Sequence, residues 1–303
     1  MRKRQRMRRM TIIATALIIA ISLGVGVYFL ATSGQSSKID EYIGQPVSSG
    51  DMASLSSVSA QPYGPAAPVN WQNSLQNYGG SPFVTQGKPT VVFIGADYCP
   101  YCAIERWSLI IALMRFGSFT GLSYMTSVPN DVGPGDYATF TFVGSSYTSQ
   151  YVTFRPYEVA DRSNSPLQSV PSNYSAVWSA KANGGVPFID FGNSYVLPSA
   201  VPTDPTVLTG KNWTSILTDI STSDSVGVQI REAANLMTAA ICKLTLGAPL
   251  SVCSAAPINS ETLSIAGPVA AGLTPGTLSL APSQVAVVPS VGDPDDLGLS
   301  SLR

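Results

Sequence analysis

The chain has 303 residues, 45% of them hydrophobic and only 12% charged, with four cysteines and no histidine, so Ser-His-Asp and Cys-His catalysis and every His-ligated metal site are excluded. Six of the 17 basic residues (Arg2, Lys3, Arg4, Arg6, Arg8 and Arg9) precede residue 10, leaving 11 bases against 18 acids, a net charge of −7, for the rest. An acidic body gives nucleic-acid binding no electrostatic footing.

Residues 1–10 form a basic stub, and TIIATALIIAISLGVGVYFLA, residues 11–31, carries no charge. Twenty-one residues at about 1.5 Å each span roughly 31 Å, the thickness of a hydrocarbon core. The apolar stretch of a cleaved signal peptide, the alternative, is about 7–15 residues long. The segment is therefore expected to be an uncleaved anchor in the lipid bilayer. Bases on its N-terminal side alone predict a single-pass membrane protein with a cytoplasmic N-terminus and residues 32–303 outside. Asn173 in NYS and Asn212 in NWT are glycosylation acceptor patterns, which suit an exported chain. A surface richer in hydroxyls than carboxylates has few groups to titrate and is expected to tolerate an acidic exterior.

Residues 32–68 are rich in Ser, Gly, Pro and Ala without apolar periodicity and read as a flexible stalk with an r.m.s. span of roughly 35 Å. A globular block, residues 69–254, follows. WQNSLQNYG suits a short helix, and KPTVVFIGA is a compact run of the buried-strand kind. PYCAIERWSLIIALMRFG has apolar residues at 104, 107, 110, 111 and 114 and Gly117 as a stop, with Pro100 where a helix's first turn accepts proline. Cys99 therefore falls at or next to the N-cap of a strand-to-helix turn, and Trp107 is expected in the core.

GLSYMTSV predicts a strand, and DYATFTFVGSSYTSQYVTFRPYEVAD two more strands or an irregular β insertion. SNYSAVWSAKANGG predicts a helix, VPFIDFGNSYVLPSAV a hairpin about a Gly-Asn turn, and NWTSILTDI, with Asn212 as N-cap, and SVGVQIREAANLMTAAICKLTLG two further helices. The order predicts an α/β fold, a mixed sheet with flanking helices. Residues 255–303 form a low-complexity Pro/Ala/Ser/Gly/Val tail, which reads as disordered; its apolar character raises docking as the other possibility.

Cys99 and Cys102 form CPYC; Cys242 and Cys253 have ten residues between them, unlike the close pairs of a four-thiolate zinc site, so no metal or other cofactor is expected. A disulfide between Cys242 and Cys253 would staple the last helix to its following loop; an electron relay is the alternative role. At a helix N-terminus Cys99 faces unpaired N–H groups that favour the thiolate, the nucleophile, and Cys102, one turn inside, is placed to resolve its mixed disulfide.

FIGADYCPYC followed by GGVPF, with Pro187 lying 85 residues after Cys102, resembles the thioredoxin superfamily. The resemblance implies a thioredoxin-like mixed sheet with flanking helices and a β-rich insertion, preceded here by the transmembrane helix. It also implies a cis Pro187 against the CxxC, with the Val186 backbone offered to an extended substrate. Pro100-Tyr101 between the cysteines is similar to the pair in glutaredoxins and some periplasmic disulfide isomerases, and Tyr98 adjoins it. VVFIGADYCPYCAIERWSLIIALMRFG, VPFIDFGNSYV and AANLMTAAICKLTLGAPLSVC more closely resemble an uncharacterised family, a domain of unknown function, of membrane-anchored thioredoxin-like proteins of archaea and actinobacteria.

Where thioredoxins carry a buried acid six residues before the first cysteine, this chain has Phe93. The substitute proton acceptors are Asp97 and Glu105; Glu105 lies one helical turn beyond Cys102, and its alternative role is a surface ion pair or a fold-stabilising contact. No lysine or histidine adjoins the motif, so thiolate stabilisation is expected to rest on the helix terminus alone. The long CxxC-to-Pro187 separation implies that residues about 128–170 decorate the fold. The function expected is a membrane-anchored extracytoplasmic thiol-disulfide oxidoreductase acting on the thiols or disulfides of exported proteins, served by a membrane or extracytoplasmic redox partner. The alternative is a non-catalytic thioredoxin-like binding module of the cell envelope with structural disulfides.

Overall fold

The computed structural model describes residues 20–22, 41–60, 64–129, 132–133, 135–222 and 224–265. The chain divides into two units, Met1–Gly272 and Leu273–Arg303, the second wholly outside the described residues. The stub 1–10, the anchor 11–31 apart from residues 20–22, which are helical, and the tail beyond residue 265 also lie outside them. Among the described residues no helix is long and apolar enough to cross a membrane.

The protein is a mixed α/β fold. Its main sheet is built on β3 (Lys88–Gly95), which pairs parallel with β8 (Thr153–Glu158) and antiparallel with β9 (Phe188–Phe191); β10 (Tyr195–Leu197) continues beyond β9, and β1 (Gln76–Asn77) closes that edge. A short β2 (Val84–Thr85) folds back on the start of β3. Alternation along β3 makes it central: Val91 and Phe93 point into the larger core, and Val92 and Ile94 into a smaller one on the opposite face.

Helix α3 (Pro100–Met114) and α6 (Ser225–Leu244) pack together on the larger core, with α5 (Trp213–Thr222) against α6; α4 (Ser172–Ala182) covers the smaller core through Val177. Trp107 is fully buried and its indole N–H donates to the Ala138 carbonyl at 2.8 Å. The hairpin β9–β10 turns through Gly192 and Asn193, both at positive φ, and a Cβ on Gly192 would press on the tip of the Leu244 side chain at 3.0 Å.

Three expectations need correction. First, within the segment read as a stalk, residues 49–59 form a helix, α1, capped by Ser48 Oγ accepting from Asp51 N–H, and its Leu55 and Val58 enter the main core. Residues 44–47 bond to the backbone of Leu122 and Tyr124. Two large apolar side chains in eleven residues suffice to bury one side of α1, although they leave no periodic signature.

Second, the region expected as decoration contributes β8, a full strand of the main sheet; its other strands, β6 (Ala138–Thr141) and β7 (Ser146–Ser149), pair with two that precede the region, β5 (Ser123–Thr126) and β4 (Gly117–Thr120), in two separate two-stranded ribbons. Third, ordered structure continues past residue 254. After α7 (Leu250–Cys253) a helix, α8 (Ile258–Ser264), buries Ile258 and Glu261, and a Glu261 carboxylate oxygen accepts the Ala67 N–H at 2.7 Å, joining residues 194 apart.

Candidate functional site

The chemistry gathers where β3 hands over to α3. The apolar strand ends at Gly95, the turn Ala96–Tyr98 follows, and Pro100 starts the helix because its missing N–H would have no partner in a first turn. That places Cys99 at the N-cap, where its Sγ accepts the Cys102 N–H at 3.2 Å. The Cys99 thiol also approaches the Val186 carbonyl at 3.8 Å, and the following Val186–Pro187 bond is cis. CPYC and GGVPF therefore meet in space.

The two sulfurs are unlike. Both are free thiols; Cys99 is 5% exposed and Cys102 is fully buried. The Cys99 pKa is lowered, first by its hydrogen bond with the Cys102 thiol, with burial opposing and the Cys102 N–H and the Arg106 charge assisting. Burial pushes the Cys102 thiol well up, and the Cys99 sulfur adds to this. Tyr98 is half-buried with its hydroxyl pKa raised by burial and then by the two sulfurs, Pro100 is buried, and Tyr101 is 36% exposed beside them.

Both carboxyl candidates are buried, in different surroundings. Glu105 has one oxygen accepting the Val201 N–H at 2.6 Å and the other without a hydrogen-bond partner among the described residues. Burial raises its pKa well above the usual range, the Val201 N–H opposes this and the Cys99 charge adds to the rise. Asp97 is raised by burial to about 6, opposed by Arg106, whose guanidinium lies 3.7 Å away.

Arg106 and Glu158 are the residues that sequence reasoning missed. Arg106 is wholly buried; its Nε and Nη2 donate to the two Glu158 carboxylate oxygens at 2.9 and 2.6 Å, and Nη2 also donates to the Ala96 carbonyl at 2.9 Å. Burial alone would favour the neutral guanidine, but Glu158 overrides it and Arg106 stays charged. A charge stabilising Cys99 therefore adds to the helix terminus, contrary to expectation. The available signal was spacing: Arg106 follows Cys102 by four residues and Cys99 by seven, the same helix face.

The remaining candidates lie elsewhere. Cys242 and Cys253 are joined in a disulfide between the last turn of α6 and α7. Asn173, in the first turn of α4, and Asn212 are exposed, and the Asn212 side-chain oxygen caps α5 by accepting the Ser215 N–H at 2.8 Å.

Fold and site together define a mixed-sheet α/β protein with flanking helices and an asymmetric cysteine pair at a helix N-terminus. Within that class, the model of the family described as a domain of unknown function, DUF929, matches residues 76–243, and the chain belongs to that family. No curated protein and no solved structure matches the chain.

Proposed function

We propose that this protein is a thioredoxin-like thiol-disulfide oxidoreductase, held at the outer face of a membrane by residues 11–31 and acting on cysteines of exported proteins. The observation that carries the reading is the asymmetry of the pair: an N-cap Cys99 with lowered pKa, 5% exposed, a fully buried Cys102 with raised pKa one turn inside, and the Val186 backbone beside the outer sulfur. Support for the thioredoxin-like part comes from the strand order β8-β3-β9-β10, the first pair parallel and the rest antiparallel, with α3 and α6 on one face and α4 on the other.

The exchange runs as follows. Starting from the pair's disulfide, a substrate thiolate attacks Cys99 Sγ, the Cys99–Cys102 bond breaks, and Cys102 leaves with the electron pair and takes a proton. A second substrate thiolate then attacks the substrate sulfur of the mixed disulfide and expels Cys99 as thiolate. Two electrons pass from substrate dithiol to pair; the reverse sequence reduces a substrate disulfide. Glu105 is the group we assign to the Cys102 proton, because it stands one helical turn beyond Cys102, is wholly buried with one oxygen lacking a hydrogen-bond partner among the described residues, and burial favours its neutral form.

The test is exchange of the full-length chain with a model peptide dithiol and glutathione disulfide. Cys99→Ser abolishes exchange, Cys102→Ser accumulates a mixed disulfide on Cys99, and Glu105→Gln slows turnover by about a hundredfold, the usual worth of a positioned acid-base group. Exchange surviving Cys99→Ser at the unaltered rate would end the proposal and leave the binding-module alternative.

A further inference from the structure

Beneath the cysteine pair lies a buried ionic cluster made by elements far apart in sequence. Arg106 stands on the face of α3 that carries both thiols, and its guanidinium lies over the Phe93 ring of β3 at 5.6 Å from the centroid. Gly95, two residues on, has no Cβ, and one there would come within 2.5 Å of that ring and 3.2 Å of the Glu158 carboxylate; the bare backbone is what allows the three groups to share this space. Glu158 arrives from β8, the strand paired with β3 at Gly95.

The fork with Glu158 uses Nε and Nη2, while Nη1, equally buried, has no hydrogen-bond acceptor among the described residues. The other charged groups around the pair are Asp97 in the turn and Glu105 on α3, with Asp161 following β8 next to Asp97. Glu105 makes no pair with Arg106 and is held by the Val201 N–H instead. Arg106 stands one turn beyond Cys102, and the Ala96 carbonyl that its Nη2 donates to also accepts the Cys99 N–H at 3.2 Å, so the cation lies against the CPYC turn; it acts on both sulfurs in the direction of the thiolate, and burial keeps solvent from screening it.

We infer that Arg106 is the positioning residue that sets the direction of exchange: its buried charge stabilises the reduced pair over the disulfide, so the pair takes electrons from a substrate dithiol and leaves a disulfide in the substrate. This rests on the oxidoreductase reading and deepens it. In the step so directed the substrate loses two electrons and two protons; the pair gains the two electrons and one proton, ending as Cys99 thiolate and Cys102 thiol, and the second proton leaves to water. A pair whose reduced form is stabilised is the stronger oxidant. Turnover requires reoxidation by a disulfide-bearing acceptor, which glutathione disulfide supplies in the test.

The test measures, on the full-length chain, the pH profile of Cys99 alkylation and the equilibrium of the pair with glutathione. The double variant Arg106→Met/Glu158→Gln removes the charge together with its neutralising partner. It slows Cys99 alkylation at acidic pH about tenfold, because Arg106 and not Glu158 is among the charges that act on the two sulfurs, and an opposite charge beside a titrating group shifts it by about one unit or more. Its glutathione equilibrium moves about tenfold toward the disulfide, which is about 30 mV for a two-electron couple.

Glu158→Gln alone frees the cation and moves both quantities the opposite way; Arg106→Lys, which keeps the charge and loses the fork, retains most of the unaltered values. A merely structural Arg106 would move the unfolding midpoint and leave profile and equilibrium alone. Should the double variant not fold, the opposed expectations for Glu158→Gln and Arg106→Lys decide the matter. Folded variants with profile and equilibrium within twofold of the unaltered chain overturn the inference. Failure of the unaltered chain to exchange with glutathione at all instead overturns the oxidoreductase reading and the inference with it.

Discussion

Asp190→Asn should make the protein more stable at pH 8 and less stable at pH 4. Asp190 lies in β9, 1% exposed, with one oxygen accepting the Asn193 N–H that closes the β9–β10 turn and the other without a hydrogen-bond partner among the described residues. Burial raises its pKa to about 7 from an ordinary 3.8, and the Asn193 bond only partly opposes this. A folded-state pKa above the unfolded one means the carboxyl costs nothing below about pH 4, where both states hold the proton. Stability then falls as pH rises toward 7 and levels off above it.

The gap of about three units corresponds to about 4 kcal/mol as an upper figure. Asparagine keeps the oxygen that serves Asn193 and cannot ionise, but its amide N–H groups replace the unpartnered oxygen at about 1–3 kcal/mol. Net, the variant gains about 1–3 kcal/mol at pH 8 and loses a similar amount at pH 4. Urea unfolding at pH 4, 6 and 8, followed by tryptophan fluorescence, measures the difference. A difference of the same sign and size at all three would refute the assignment of a protonated buried Asp190.

Two further expectations test the fold's limits. Leu55→Ala, in the segment whose composition reads as a stalk, should cost about 2–5 kcal/mol because the side chain is fully buried; an unfolding midpoint equal to the unaltered chain's would detach α1 from the core. Replacing Cys242 and Cys253 by alanine should cost about 3 kcal/mol, the chain-entropy value for cysteines 11 residues apart, and leave the Cys99 alkylation profile in place. Loss of turnover in a fully folded double variant would instead assign that disulfide to the electron path.

The parts of the fold legible in the sequence were those with strong local signals. KPTVVFIG is apolar enough to be buried on both faces, and the helix beginning at Pro100 carries its own start and stop, so Cys99 at the N-cap followed from local chemistry. β8 was obscured by Pro156, which fits a strand only at an edge; β8 pairs with β3 alone. Arg106 was missed because an arginine in a helix ordinarily faces water, and nothing local marks Glu158, 52 residues on, as the partner that permits its burial. The same holds for Asp190 and Glu261: a carboxyl's burial is decided by tertiary neighbours that carry no sequence pattern.

Glu261 also fixes when the domain can be complete. The Ala67 N–H it receives belongs to the segment that leads into α2 (Val69–Gln72), and Asn235 of α6 donates to the Pro65 carbonyl next to it. The first-made part of the domain therefore waits for the last-made part. At roughly 5–20 residues per second the 194 intervening residues take about 10–40 s to synthesise. Leu55 and Val58 wait through the whole of that interval, and both thiols of the CPYC turn through its later part, on a chain whose helix α8 has not yet been made.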